Sequence, residues 1–308
     1  MKNNLRLIEN LNVPEKKIDA VLDTDTFNEV DDQFALAYMI KSSDKINLKA
    51  IYAAPFFNGR TTSPKDGMRK SYDEIMRILD IMGREDLKQI TYFGSENYME
   101  NEESPVDSEA MRDLVERARG YTVENPLYVV CIAAITNVAS AIVAAPDIAD
   151  KIVIVWLGGH DIHTSGGSGE FNMVQDIAAS RVIFKCIAPV VQLPCKGVVS
   201  SFSISEPEFN YWLKGKNALC DYLVDIVISD QQSAAGSPWA RAIWDVTAVA
   251  WLLNDEDKFM ESTLMPCRIP EPDMRYATDP NAKIIRYVNC IKRDSLFEDL
   301  IKRLTADY

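Results

Sequence analysis

The stretch Ile18-Asp19-Ala20-Val21-Leu22-Asp23-Thr24-Asp25-Thr26-Phe27-Asn28-Glu29-Val30-Asp31-Asp32 decides the fold. Ile18 to Leu22 is a short apolar run of the kind that forms a buried strand, and Phe34 to Ile40 reads as the helix after it. Between them four aspartates and a glutamate crowd one strand-to-helix turn. The same alternation continues outward. Leu48 to Ala53, Leu127 to Ile132, Ile152 to Leu157 and Val190 to Leu193 read as further strands. Ile75, Ile78, Leu79 and Met82 recur at helical spacing, and Gly83 can close that helix; a helix from about Asn137 to Ala145 follows the third strand. Strands alternating with helices predict an α/β fold with an open, mainly parallel, Rossmann-like sheet flanked by helices. The second half is expected to be more helical, with helices over Tyr211 to Asp230, Ile243 to Leu253 and Arg293 to Leu304, and a hairpin within Cys267 to Val288. No internal repeat or linker divides the chain, so residues 1–308 are expected to form one domain.

The acidic turn carries the chemistry. Two carboxylates about 4 Å apart repel by roughly 4 kcal/mol at an effective dielectric of about 20. The nearest basic residues in sequence are Lys17 and Lys41. A bound cation would remove the repulsion, and hard oxygen donors select Ca²⁺ or Mg²⁺. The bland alternative is that Asp31 and Asp32 are helix N-terminal acids and Asp23 a turn cap. The spacing is not that of an EF-hand, which needs glycine at its sixth position and glutamate at its twelfth. A Mg-dependent aspartate phosphatase also opens with strand-DxD, but it wants a small Thr or Val where this chain has Phe27. The loops Pro55 to Asp66 and Gly158 to Gly169 follow strands, where ligands of open sheets bind.

Composition narrows the partners. The formal net charge of −13 argues against a nucleic-acid polymer, whose phosphates need a basic face. The six cysteines have no zinc spacing and several lie in apolar runs, which reads as reduced core thiols. The N-terminus has no apolar signal segment and no stretch is long enough to span a membrane, so a cytoplasmic protein with no membrane partner is expected.

Five further segments stand in order along nearly the whole chain: Phe57-Asn58; Ile135-Thr136-Asn137-Val138-Ala139; Trp156-Leu157-Gly158-Gly159; Glu170-Phe171-Asn172 with Asp176; and Trp244-Asp245-Val246-Thr247-Ala248-Val249. With Asp23-Thr24-Asp25 and Asp31-Asp32 they resemble the motifs of the inosine/uridine-preferring nucleoside hydrolases, as a divergent bacterial-type member. Two extra residues separate Asp25 from Asp31, and the family's Pro-Gly is absent. The resemblance implies hydrolysis of the N-glycosidic bond of ribonucleosides, with Ca²⁺ as cofactor. It implies Asp25 as calcium ligand and as general base on a calcium-bound water, Asp32, Asp245 and the Thr136 carbonyl as further ligands, and Asp23 as a supporting residue. Asp31, Asn58, Glu170 and Asn172 would hold ribose hydroxyls. A small-molecule nucleoside is then the partner, with a homodimer or homotetramer as the assembly. Many members have a leaving-group His where this chain has Trp244, which could stack on the base instead. His160 and His163 are read as loop residues. The departures keep open a non-catalytic or altered-specificity relative that binds a ribosyl ligand.

Overall fold

The computed structural model describes residues 2–164, 167–231 and 236–306, with no side-chain description for residues 2–4. In chain order the strands are β1 Ile18–Thr24, β2 Ile46–Ala53, β3 Thr91–Phe93, β4 Leu127–Cys131, β5 Ile152–Leu157, β6 Val190–Leu193, β7 Ser203–Ser205, β8 Ala240–Ala242, β9 Met260–Pro266, β10 Ile269–Pro270, β11 Tyr276–Ala277 and β12 Ile284–Ile291. The helices are α1 Lys2–Glu9, α2 Asp32–Lys41, α3 Pro64–Ile81, α4 Glu85–Lys88, α5 Glu109–Ala118, α6 Thr136–Ala144, α7 Phe171–Gln175, α8 Ile177–Lys185, α9 Glu206–Trp212, α10 Ala218–Asp230, α11 Val246–Trp251 and α12 Arg293–Thr305.

Among the described residues the main sheet has eight strands in the order β3-β2-β1-β4-β5-β6-β12-β9. All pairs are parallel except β12 with β9. Alternate residues of each central strand feed opposite faces, as a sheet covered on both sides requires. Ala20 and Leu22 of β1 pack with α2, α3, α10 and α12, whereas Val21 packs with α5, α6 and α8. On β5, Val153 and Val155 face the first side, and Ile154 and the fully buried Trp156 the second. Truncating such a tryptophan costs about 3–5 kcal/mol. The chain winds outward from β1 to β3 and then restarts beside β1 with β4. The crevice beyond the carboxyl ends of β1 and β4 is therefore the topological switch point, where ligands of open sheets bind.

Three expectations need correction. The segment Tyr211 to Asp230 is two helices, α9 and α10; Gly215 between them sits at φ 76°, which ends helical continuation. The helix expected from Ile243 starts only at Val246, because Ala240 to Ala242 pair with β7 and Ile243 N–H still donates to the Phe202 carbonyl at 2.9 Å. The expected hairpin is present as the short antiparallel pair β10 and β11, but it is the tip of a longer one, whose arms β9 and β12 extend beyond the expected limits and put β12 into the main sheet. The loop Gly158 to Gly169 contains residues 165 and 166, which lie outside the described residues.

Candidate active site

The acidic turn is wholly inside the protein. Asp23 and Thr24 still belong to β1: the Asp23 carbonyl accepts from Ile132 N–H at 2.9 Å and the Thr24 carbonyl from Ala54 N–H at 2.8 Å. The strand is thus held from both sides up to the residue before Asp25. A turn closed by Asn28 N–H onto the Asp25 carbonyl, at 2.6 Å, then delivers Asp31 as the cap of α2. Helix α2 is apolar around most of its circumference, so it is buried and packs against α11 and α12. This brings the starts of α2 and α11 together, and each opens with an aspartate whose charge suits a helix N-terminus. Asp245 N–H donates to Asp31 Oδ2 at 3.2 Å, and Thr24 Oγ1 to Asp32 Oδ1 at 2.6 Å.

One carboxylate oxygen from each of Asp31, Asp32 and Asp245 lies within 4.8 Å of the others. Asp25 borders the same cavity. Burial, reinforced by the charges of Asp32, Asp31 and Glu29, holds its carboxyl well above the usual range. Burial does the same for Asp32 and Asp245, and Asp31 adds to both. Asp25 Oδ2 and Asp23 Oδ2 are buried without a hydrogen-bond partner. Asp23 Oδ1 accepts from Asn137 Nδ2 at 2.8 Å, and burial pushes this carboxyl up to about 7. Crowded, oxygen-only and partly unsatisfied, the cluster fits a hard divalent cation; it is costly without one.

The cavity encloses about 260 Å³. Asp25, Asn28, Glu29, Asp31 and Asp32 line one side, and Trp244 and Asp245 the start of α11. Leu157, His160, Glu170 and Asn172 line it beyond β5, Ile132 beyond β4, and Cys195 and Lys196 beyond β6. Glu170 caps α7: Oε1 accepts from Asn172 N–H at 2.9 Å, and Oε2 from Met173 N–H at 3.0 Å and Gly159 N–H at 2.9 Å. Burial pushes its carboxyl up to about 7. Asn172 Nδ2 donates to the Leu157 carbonyl at 3.1 Å. The Gly158-Gly159 pair is a packing requirement as well as a turn. A Cβ on Gly159, at φ 81°, would fall 2.0 Å from Tyr276 Oη.

A sequence model described as inosine-uridine preferring nucleoside hydrolase matches residues 20–291. The chain belongs to this family. It is therefore assigned to hydrolases acting on N-glycosyl compounds. No curated protein matches it. Its fold is similar to a plant nucleoside hydrolase, PpNRh1, at TM-score 0.74 and 17% identity, over 96% of this chain and 100% of that one. A purine-preferring ribonucleoside hydrolase from Gardnerella vaginalis aligns at TM-score 0.72 and 18% identity over 93% and 98%. The type III effector XopQ, solved with adenosine diphosphate ribose, aligns at TM-score 0.70 and 15% identity over 99% and 98%.

Within this nucleoside hydrolase, most motif residues converge. Asp25, Asp31, Asp32, Glu170, Asn172, Trp244 and Asp245 all border the cavity. Thr136 does not: it opens α6, and its hydroxyl donates to Asp176 Oδ2 at 2.7 Å. Asn58 stands one layer back, with Nδ2 donating to Asn28 Oδ1 at 2.7 Å. Trp244 is engaged on two sides. Its indole N–H donates to Ser200 Oγ at 3.1 Å, and the Arg241 guanidinium lies 5.0 Å over its ring. Arg241 in turn pairs with Glu29 at 2.6 Å. Glu29, Arg241 and Trp244 thus form a continuous wall from the acidic turn to the start of α11. His160, read from sequence as a loop residue, is buried against the cavity, and only its position next to Gly158-Gly159 could have signalled that. Lys196 had no signal in the sequence.

Proposed function

We propose that this chain hydrolyses the N-glycosidic bond of ribonucleosides to free base and ribose, with Ca²⁺ as cofactor. The observation that carries the reading is the set of buried, under-bonded carboxylates beside a small cavity at the β1/β4 switch point, in a chain matched by the family over residues 20–291. Asp25, Asp32 and Asp245 would hold the ion. The backbone oxygen expected from Thr136 is better assigned to Ile132, which reaches the cavity from the end of β4 while Thr136 does not. A bound divalent ion would offset the carboxylate repulsion, orient sugar hydroxyls and lower the pKa of a water.

Asp25, whose Oδ2 has no protein partner, takes the proton from the attacking water. The departing bond leaves positive charge on the ribose, and the surrounding carboxylates stabilise it. Asp31 and Asn172 hold ribose hydroxyls; Glu170 caps the helix that carries Asn172; Asn58 supports Asn28 at the cavity wall. Asp23 anchors the end of β1 through Asn137. Trp244 offers its remaining face to the base, because its N–H is already bonded to Ser200.

The test is release of reducing sugar from inosine, uridine, adenosine, guanosine and cytidine by the calcium-loaded protein. No release from any of them, with calcium bound, sinks the reading. A second reading, an altered-specificity or non-catalytic ribosyl-ligand binder, is favoured by the Glu29–Arg241–Trp244 wall and by the adenosine diphosphate ribose in the XopQ structure. Ribosyl binding without turnover would select it. The family assignment displaces the aspartate-phosphatase reading.

No helix among the described residues is long and apolar enough to cross a membrane. Six unpaired cysteines support a reducing, cytoplasmic location. A homodimer or homotetramer is expected from the family, and light scattering of the purified protein would reveal a monomer if that is wrong.

A further inference from the structure

We propose that Asn28 is the hydrogen-bond donor to the leaving base, its side-chain amide meeting an acceptor atom of the base beside the glycosidic bond. The inference rests on the nucleoside reading above and adds a residue to it.

A run of hydrogen bonds fixes which end of the Asn28 amide is free. Arg60 N–H donates to Asn58 Oδ1 at 2.8 Å, so the other end of the Asn58 amide is a donor. That Nδ2 donates to Asn28 Oδ1 at 2.7 Å. The oxygen of Asn28 is thereby engaged, and its Nδ2 has no protein partner among the described residues. Asn28 is only 7% exposed, it borders the cavity, and its Nδ2 is not among the unpartnered atoms sealed in the interior. The free NH₂ therefore opens on the cavity. The backbone is held as firmly. Asn28 N–H donates to the Asp25 carbonyl at 2.6 Å, and Arg60 Nη1 donates to the Asn28 carbonyl at 3.2 Å.

Two connections put Asn28 on the wall that Trp244 completes. The next residue, Glu29, pairs with Arg241, whose guanidinium lies over the Trp244 ring. Arg60, which holds the Asn28 carbonyl, pairs with Asp230 at 2.6 Å, and Arg241 lies 3.6 Å from the same carboxylate. Glu170 and Asn172, by contrast, are bonded to Gly159, Met173 and Leu157, not to Asn28. Along the wall the other donors are spent or closed off. The Trp244 N–H goes to Ser200, Arg241 Nη2 goes to Glu29, and Arg241 Nε is sealed in the interior. Among the described residues of the wall, Asn28 Nδ2 is the donor left for a ligand.

Donor and acceptor chemistry selects the base as well. Six carboxylates line the cavity, and a ribose hydroxyl can donate to any of them. The base atoms that flank the glycosidic nitrogen, N3 of a purine or O2 of a pyrimidine, can only accept. They gain negative charge as the bond breaks, in surroundings that are themselves acidic. A fixed neutral donor aimed at that charge stabilises the transition state more than the ground state. The amide keeps both its protons: it stabilises the electron pair that the breaking bond leaves on the base, and the base then takes its proton from solvent water.

The test uses calcium-loaded wild type, Asn28→Ala and Asn28→Asp, each checked by thermal melting to be folded. Asn28→Asp keeps the acceptor for Asn58 and removes the donor. Substrates are inosine, uridine and 4-nitrophenyl β-D-ribofuranoside, whose phenolate leaves without help from a donor. Each variant should lose about 10–100-fold in kcat on both nucleosides, with KM changed by less than about threefold, because the bond strengthens as charge develops. The loss on the nitrophenyl riboside should stay below about threefold. Calorimetric titration with ribose should give the same Kd for all three proteins. An equal loss on all three substrates, weaker ribose binding in the variants, or full activity on the nucleosides overturns the proposal. If the wild type binds inosine but turns over no nucleoside, the catalytic reading fails and binding decides this one. Asn28→Ala should then weaken inosine binding by about threefold or more while ribose binding holds, and unchanged inosine binding overturns it.

Discussion

Replacing Asp245 by asparagine should stabilise the metal-free protein and destabilise the calcium-loaded one. The carboxylate of Asp245 lies within 4.8 Å of those of Asp31 and Asp32. At an effective dielectric of about 20, each ionised pair at that separation repels by roughly 3 kcal/mol or more. Burial keeps these groups partly protonated, so the realised relief is smaller, about 2 kcal/mol. Asparagine preserves the shape and the backbone N–H bond to Asp31. For a chain of 308 residues that gain corresponds to roughly 3 °C in Tm. With the ion the order reverses. Calcium at about 100 times its Kd adds about 2.7 kcal/mol to the wild type, and the variant, one charged ligand short, gains far less. Differential scanning calorimetry in EDTA and in calcium measures both. A variant that melts lower than wild type in EDTA, and responds to calcium as the wild type does, would refute the cation-site argument.

Other outcomes follow from the same geometry. Asp25→Asn should lower kcat by about 10²–10⁴-fold while the protein stays folded, as loss of a general base does; retention of most activity with nucleosides would exclude Asp25 as the base. Metal-free stability should fall as pH rises. The raised carboxyls of Asp23 and Glu170, both at about 7, contribute stability fully present below pH about 4 and lost as pH passes 7; denaturant melts in EDTA at pH 5 and 8 check the sign. Gly159→Ala should cost more than about 2 kcal/mol, because the added Cβ meets Tyr276 Oη and φ is positive; an unchanged urea midpoint would contradict the close approach. Glu29→Ala frees Arg241 from its 2.6 Å partner beside Trp244, so the ratio of kcat/KM between purine and pyrimidine nucleosides should shift.

Much of this was legible in order and periodicity. The apolar runs that became β1, β2, β4, β5 and β6 each declare themselves, since a strand buried on both faces has to be apolar throughout. The strand that completes the sheet, β12, did not, because its neighbour β6 is far away in sequence and its other neighbour is antiparallel. The acidic residues were conspicuous for the opposite reason: five carboxylates in one turn, with no basic residue nearby in sequence, are too costly to be incidental. Sequence alone therefore determined the fold class, the family and most of the residues that meet at the cavity. Only the tertiary structure decided how near the Asp31 carboxylate stands to those of Asp32 and Asp245, that Ile132 and not Thr136 borders the cavity, and that His160 and Lys196 line it. The physical reason is that strand pairing and the burial of α2 against α11 set those distances, and neither is written in the local spacing of any single segment.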